Sequence, residues 1–126
     1  DPRQALREEA SRLALLLGHA REEAITTGVA MAWQGADGGY RFVRRAADHA
    51  WQPVDADNAL RTRTLPIGVS FARIDVTTQT TGKAPVIVLA PNGMTEPFRI
   101  TLANGGYQVS VASDGVGAPT VENVGR

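Results

Sequence analysis

The first 28 residues, DPRQALREEASRLALLLGHAREEAITTG, decide how the rest of the chain is read. Leu6, Ala10, Leu13, Leu17, Ala20 and Ala24 recur at three- and four-residue steps, the spacing that stacks side chains along one face of an α-helix. Arg7, Glu8, Arg12, Glu22 and Glu23 fill the other side. Glu8-Glu9 and Glu22-Glu23 read as carboxylates on a solvated face, pairing with Arg12 and neighbouring arginines for a few tenths of a kcal/mol each. Asp1 suits an N-cap and Pro2 the first helical position, and no further Pro or β-branched residue appears before Ile25. Gly18 costs about 1 kcal/mol relative to Ala, too little to stop so strong a pattern. Gly28 is the expected terminator. Some 25 helical residues span roughly 37 Å, close to the diameter of about 35 Å that radius scaling gives a globule of this size. The helix is therefore predicted to cross the whole domain as a spine.

Beyond Gly28 the period changes from helix-like to strand-like. Residues 29–33, 40–44, 69–76, 86–90, 98–102 and 107–112 carry the branched or aromatic content of strands. Turn signals separate them: Asp37-Gly38-Gly39, Thr81-Gly82-Lys83, Pro91-Asn92-Gly93 and Asn104-Gly105-Gly106. The last predicts a hairpin, because Phe98, Ile100 and Leu102 alternate with polar residues before it, and Tyr107, Val109 and Val111 after it. Residues 46–63, with Pro53 and three Asp, read as irregular. One long helix followed only by strands is an α+β order, with no repeating βαβ unit.

The chain has 126 residues, 13 basic against 13 acidic, 43% hydrophobic residues and no cysteine. That length predicts a single domain. The balanced charge gives no field favouring nucleic acid. The missing cysteines remove disulfides, thiolate metal sites and cysteine nucleophiles. His19 and His49 lie in different elements without the companions that metal-ligand spacing demands, so neither a metal nor a cofactor is expected. His49 has Asp48 beside it, a neighbour able to orient an imidazole. No G-x-S-x-G elbow or phosphate-cradling glycine loop occurs, and no catalytic residue is assigned. Arg41, Arg44, Arg45, Arg61, Arg63 and Arg73 surround Tyr40, Phe42 and Trp51. This resembles a single-strand stacking platform, but core aromatics with solvated arginines are the better reading. Trp33 and Trp51 are expected in the core, and a sugar-binding face using either is the competing reading. Leu15 points opposite the apolar stripe, near Glu8 and Glu22. With Leu16 beside it, the helix is apolar around most of its middle turn, which suits contact with both its own sheet and a neighbour.

In sequence order, several blocks resemble the H-type minor pseudopilins of type II secretion. They are residues 8–13 continuing into 20–29, Gly39-Tyr40-Arg41-Phe42, Trp51-Gln52-Pro53-Val54, and Leu60-Arg61-Thr62-Arg63-Thr64-Leu65-Pro66-Ile67-Gly68-Val69. Leu89-Ala90-Pro91-Asn92-Gly93, Glu96-Pro97-Phe98-Arg99-Ile100-Thr101-Leu102 and Asp114-Gly115-Val116-Gly117 complete the set. The resemblance implies a pilin-like α+β fold, a long N-terminal helix on two antiparallel sheets. It implies a single domain over residues 1–126, with residues 1–27 as the C-terminal half of the spine and residues 28–126 as a β-rich head.

The same resemblance implies a non-catalytic subunit near the tip of a pseudopilus, assisting export of folded proteins across the outer membrane. It would be the periplasmic domain of a single-pass inner-membrane protein with a methylated N-terminus, membrane contact coming only through a segment upstream of Asp1. Its implied partners are the other minor pseudopilins and the major pseudopilin, with the secretin or an exoprotein as further candidates and no nucleic acid. Within this chain the helix contacts are expected around Arg12, Leu15, Leu16 and Glu22, with residues 46–63 as a second candidate. The alternatives are a minor pilin of a type IV pilus, able to bind DNA or a surface, and a small β-rich ligand-binding module.

Overall fold

A computed structural model describes residues 1–54, 59–77 and 85–125. The expected turn at Thr81-Gly82-Lys83 and the acids Asp55 and Asp57 lie outside the described residues.

Helix α1 (Pro2–Thr27) runs without a break, as the 3.6-residue pattern requires. The Asp1 carboxylate accepts the Arg3 N–H at 2.9 Å, satisfying one of the free amides of the first turn. At the other end Gly28 adopts φ 73°, a left-handed conformation that costs glycine little, and its N–H closes on the Ala24 carbonyl. Nothing lies within 4 Å of a Cβ added at Gly18. Gly18→Ala is therefore expected to raise stability by up to about 1 kcal/mol, roughly 3–6 °C in Tm. Thermal unfolding followed by circular dichroism checks this.

The strands are β1 (Met31–Ala36), β2 (Gly39–Arg45), β3 (Trp51–Pro53), β4 (Arg63–Thr64), β5 (Ser70–Val76), β6 (Val86–Leu89), β7 (Phe98–Asn104), β8 (Tyr107–Ser113) and β9 (Thr120–Gly125). One antiparallel sheet has the order β3-β2-β1-β6, with β4 also pairing to β2; the other is β5-β7-β8-β9. The predicted hairpin forms at Gly105-Gly106, and the turn signal at residues 37–39 lies in a second one. Ala36 pairs with Gly39 around Asp37-Gly38, and Asn104 pairs with Tyr107 around Gly105-Gly106. Strands β3, β4 and β9 were not anticipated. The first two have three and two residues, too short to display a period of two. They form because β2 offers an edge for them to pair with.

All six residues of the expected helix stripe are fully buried. They share one apolar cluster with Ile100, Leu102, Val109 and Val111 of the second sheet and Met31, Trp33, Ile87 and Leu89 of the first. Each fully buried leucine of the stripe contributes on the order of 1.5–3 kcal/mol. The spine is thus fastened to both sheets along one side only.

Candidate functional site

The side of α1 away from the sheets carries Arg12, Leu15 and Glu22. At about 100° per residue these three lie within a narrow arc of the helix surface. Leu15 is 73% exposed, opposite the buried stripe, and is the large apolar side chain that the middle of the helix offers to solvent. Glu22 is exposed and accepts a bond from Arg21 at 3.1 Å. Leu16 departs from expectation. It is only 6% exposed and belongs to the core, because one residue further along the helix turns it by about 100° toward the sheets. Of the four residues expected at a helix contact, Arg12, Leu15 and Glu22 face solvent and Leu16 does not.

Glu9 also departs from the sequence reading. It is 2% exposed, a carboxylate at the edge of the helix–sheet core. The Tyr40 hydroxyl of β2 donates to its Oε2 at 2.9 Å, and Arg12 Nη1 donates to its Oε1 at 2.6 Å. Arg12, the partner expected for this carboxylate, thus meets it at the mouth of the core. The sequence signal that could have found this is positional: Glu9 lies one residue from Ala10 and four from Leu13, on the flank of the stripe.

Burial comes first in pushing the Tyr40 phenol well above the ordinary tyrosine range. The Glu9 carboxylate adds to this by opposing a phenolate charge and by accepting the phenol's hydrogen bond; Arg63 and Arg12 partly offset it. An unfolded tyrosine loses its proton near pH 10, whereas folded Tyr40 keeps it. The contribution is therefore intact below about pH 10 and lost as pH rises from there toward the folded value. Tyr40→Phe is expected to flatten the alkaline decline of stability, checked by denaturant midpoints at increasing pH. A decline of unchanged steepness would contradict the assignment.

The aromatic residues divide. Tyr40 and Phe42 are core residues, as expected of a half-buried strand flanked by solvated arginines. Trp33 is fully buried between the sheets, edge-on to Phe71 at 5.8 Å, and so cannot form a sugar-binding face. Trp51 is half-buried on the edge strand β3 with the Arg45 guanidinium 4.4 Å over its ring. The Asp48 carboxylate accepts the Ala50 N–H at 3.0 Å, which shapes the turn between β2 and β3. His49 stands in that turn at φ 69°. His19 is exposed on the helix.

An open cleft of about 670 Å³ lies against the second sheet, where Arg99 pairs with Glu122, Asp75 pairs with Arg73, and Asp114 accepts the Val116 N–H. A cleft of about 740 Å³ lies beside the β1–β2 turn. Among the described residues no group of three or more His, Asp or Glu is gathered to hold a metal ion. No helix among them is long and apolar enough to cross a membrane.

A spine helix bound to two antiparallel sheets along one side, with its other side open, defines a pilin-like subunit. Residues 9–115 match the family model described as type II transport protein GspH. The chain belongs to that family, the H-type minor pseudopilins of the type II secretion system.

Its fold is that of solved relatives. A structure of the minor pseudopilin EpsH from the type 2 secretion system of Vibrio cholerae superposes with a TM-score of 0.79 at 19% identity, covering 96% of this chain and 98% of that one. A crystal structure of the same Vibrio cholerae protein gives 0.77 at 17% identity, over 98% and 96%. The solution structure of Escherichia coli GspH gives 0.70 at 19% identity, over 95% and 89%. No curated protein sequence matches the chain.

Proposed function

We propose that residues 1–126 form a single non-catalytic assembly domain, the head and lower spine of a minor pseudopilin near the tip of the pseudopilus. In this reading the domain faces the periplasm and is held to the inner membrane by a segment upstream of Asp1. It contributes to export of folded proteins by binding other subunits, without chemistry of its own. Its partners are the other minor pseudopilins and the major pseudopilin, with the secretin or an exoprotein as further contacts.

The observation that carries the reading is the placement of Leu15. It stands in the middle of the spine helix, is 73% exposed, and Arg12 and Glu22 flank it on the same face. An apolar side chain ringed by charged ones offers a small patch whose centre is desolvated when a partner covers it. The test is co-purification of this chain with candidate minor pseudopilin domains at matched concentration. Capture of at least one is expected. If none is captured by this domain or by the protein as the cell makes it, the reading loses its basis.

A further inference from the structure

Hydrophobic burial is non-directional, and the middle of α1 is poorly keyed by it. Leu13, Leu15, Leu16 and Leu17 make that turn apolar nearly all round, while Ala10, Ala20 and Ala24 give the buried face little relief. Ridges and grooves fix a helix on its neighbour only as well as the side chains that form them. Leu6, Leu13 and Leu17 lie near the middle of the buried stripe, so apolar burial by itself discriminates weakly between small rotations of the helix.

A directional bond behaves differently. Side-chain ends lie roughly 5–6 Å from a helix axis, so a 20° rotation carries them about 2 Å. Donor–acceptor distances tolerate only a few tenths of an ångström before a hydrogen bond is lost. The bond from Tyr40 to Glu9 is 2.9 Å long, and both residues are only 2% exposed, so water cannot readily replace either partner. On the same strand, four residues along, Arg44 reaches the Glu23 carboxylate at 3.9 Å. The helix is thus tied to one face of β2 at two points, a buried one and a looser exposed one.

We propose that the buried Glu9–Tyr40 bond, closed at its mouth by Arg12, is a register pin that fixes the rotation of the spine helix relative to the β head. It contributes little to net stability, because replacing both partners of a buried hydrogen bond by apolar groups of the same shape can be nearly neutral. What it fixes is where the outer face points. Leu15 lies opposite the centre of the buried stripe, so the pin sets the direction in which that residue is presented. The inference stands on the fold alone and holds whichever subunit binds there.

The chain has no cysteine, so spin labels can be placed cleanly at Ser11→Cys on the exposed side of α1 and Gln52→Cys on β3. Distances are then measured by pulsed electron resonance in the parent chain, in Tyr40→Phe, and in Glu9→Met combined with Tyr40→Phe. The double variant is expected to fold with a thermal midpoint near the parent's and to show a label-to-label distribution at least about twice as wide. Tyr40→Phe alone, which removes one oxygen atom, is expected to widen it as well. A distribution as narrow as the parent's in either variant overturns the proposal. So does failure of the double variant to fold, since the pair would then be a requirement of stability and not of register.

Discussion

Trp33→Ala is expected to remove about 3–5 kcal/mol of stability, the range for deleting a fully buried tryptophan. Set against the roughly 5–15 kcal/mol that holds a typical domain together, this is at least about a fifth of the total. The reason is the position of the ring. Trp33 is wholly buried on β1, its ring tilted against Tyr40 at 5.8 Å and edge-on to Phe71 of the second sheet at the same separation. It is therefore the aromatic link between the two sheets. The chain around it is shaped to admit it: a Cβ at Gly35 would stand 2.8 Å from Trp33 Cη2, so only glycine leaves the indole its place. The measurement is chemical denaturation of parent and variant, with tryptophan emission of the variant reporting Trp51 alone. A loss under about 1 kcal/mol would mean that the cavity closes by repacking and that the link is dispensable.

Leu15→Arg is expected to weaken capture of a partner pseudopilin at least about tenfold while leaving the fold intact, since tenfold corresponds to about 1.4 kcal/mol and burying a leucine side chain is worth about 1.5–3 kcal/mol. Leu15 is 73% exposed, so its replacement should change stability by no more than about 0.5 kcal/mol. The variant thus separates binding from folding. Arg12→Glu does not separate them, because it sets a second carboxylate beside buried Glu9 and removes the cation that closes its site. Matched affinity measurements and melting curves for Leu15→Arg are therefore the informative pair. An unchanged affinity would remove Leu15 from the interface.

Much of the fold was legible before any coordinates, and the reasons differ by element. The spine was readable because twenty-odd residues repeat one spacing, and its caps at Asp1 and Gly28 are residues with specific geometric roles. The β7–β8 hairpin was readable from alternation on both sides of a Gly-Gly turn. Strand β9 was not, since Thr120, Val121 and Glu122 are all exposed and carry no inward–outward contrast. Strands β3 and β4 exist through pairing to β2, a tertiary fact that no local window contains.

The candidate site was half legible for the same kind of reason. Leu15 could be placed on the open face by helical spacing alone. Leu16 and Glu9 could not, because both sit at the boundary of the buried stripe, where a small rotation of the helix decides between core and solvent. Charge suggested that Glu9 faces water; the Tyr40 hydroxyl, supplied by a residue 31 positions away, is what allows it inside.

The account as a whole claims that the outer face of α1 is where this subunit meets another. The most direct measurement places a photoactivatable crosslinking residue at position 15 in the protein as the cell makes it, in secreting cells, and the same residue at position 52 on the far sheet edge. The account predicts an adduct with another pseudopilin from position 15, whether or not position 52, within the second candidate region, also reacts. Adducts from position 52 with position 15 silent would contradict it.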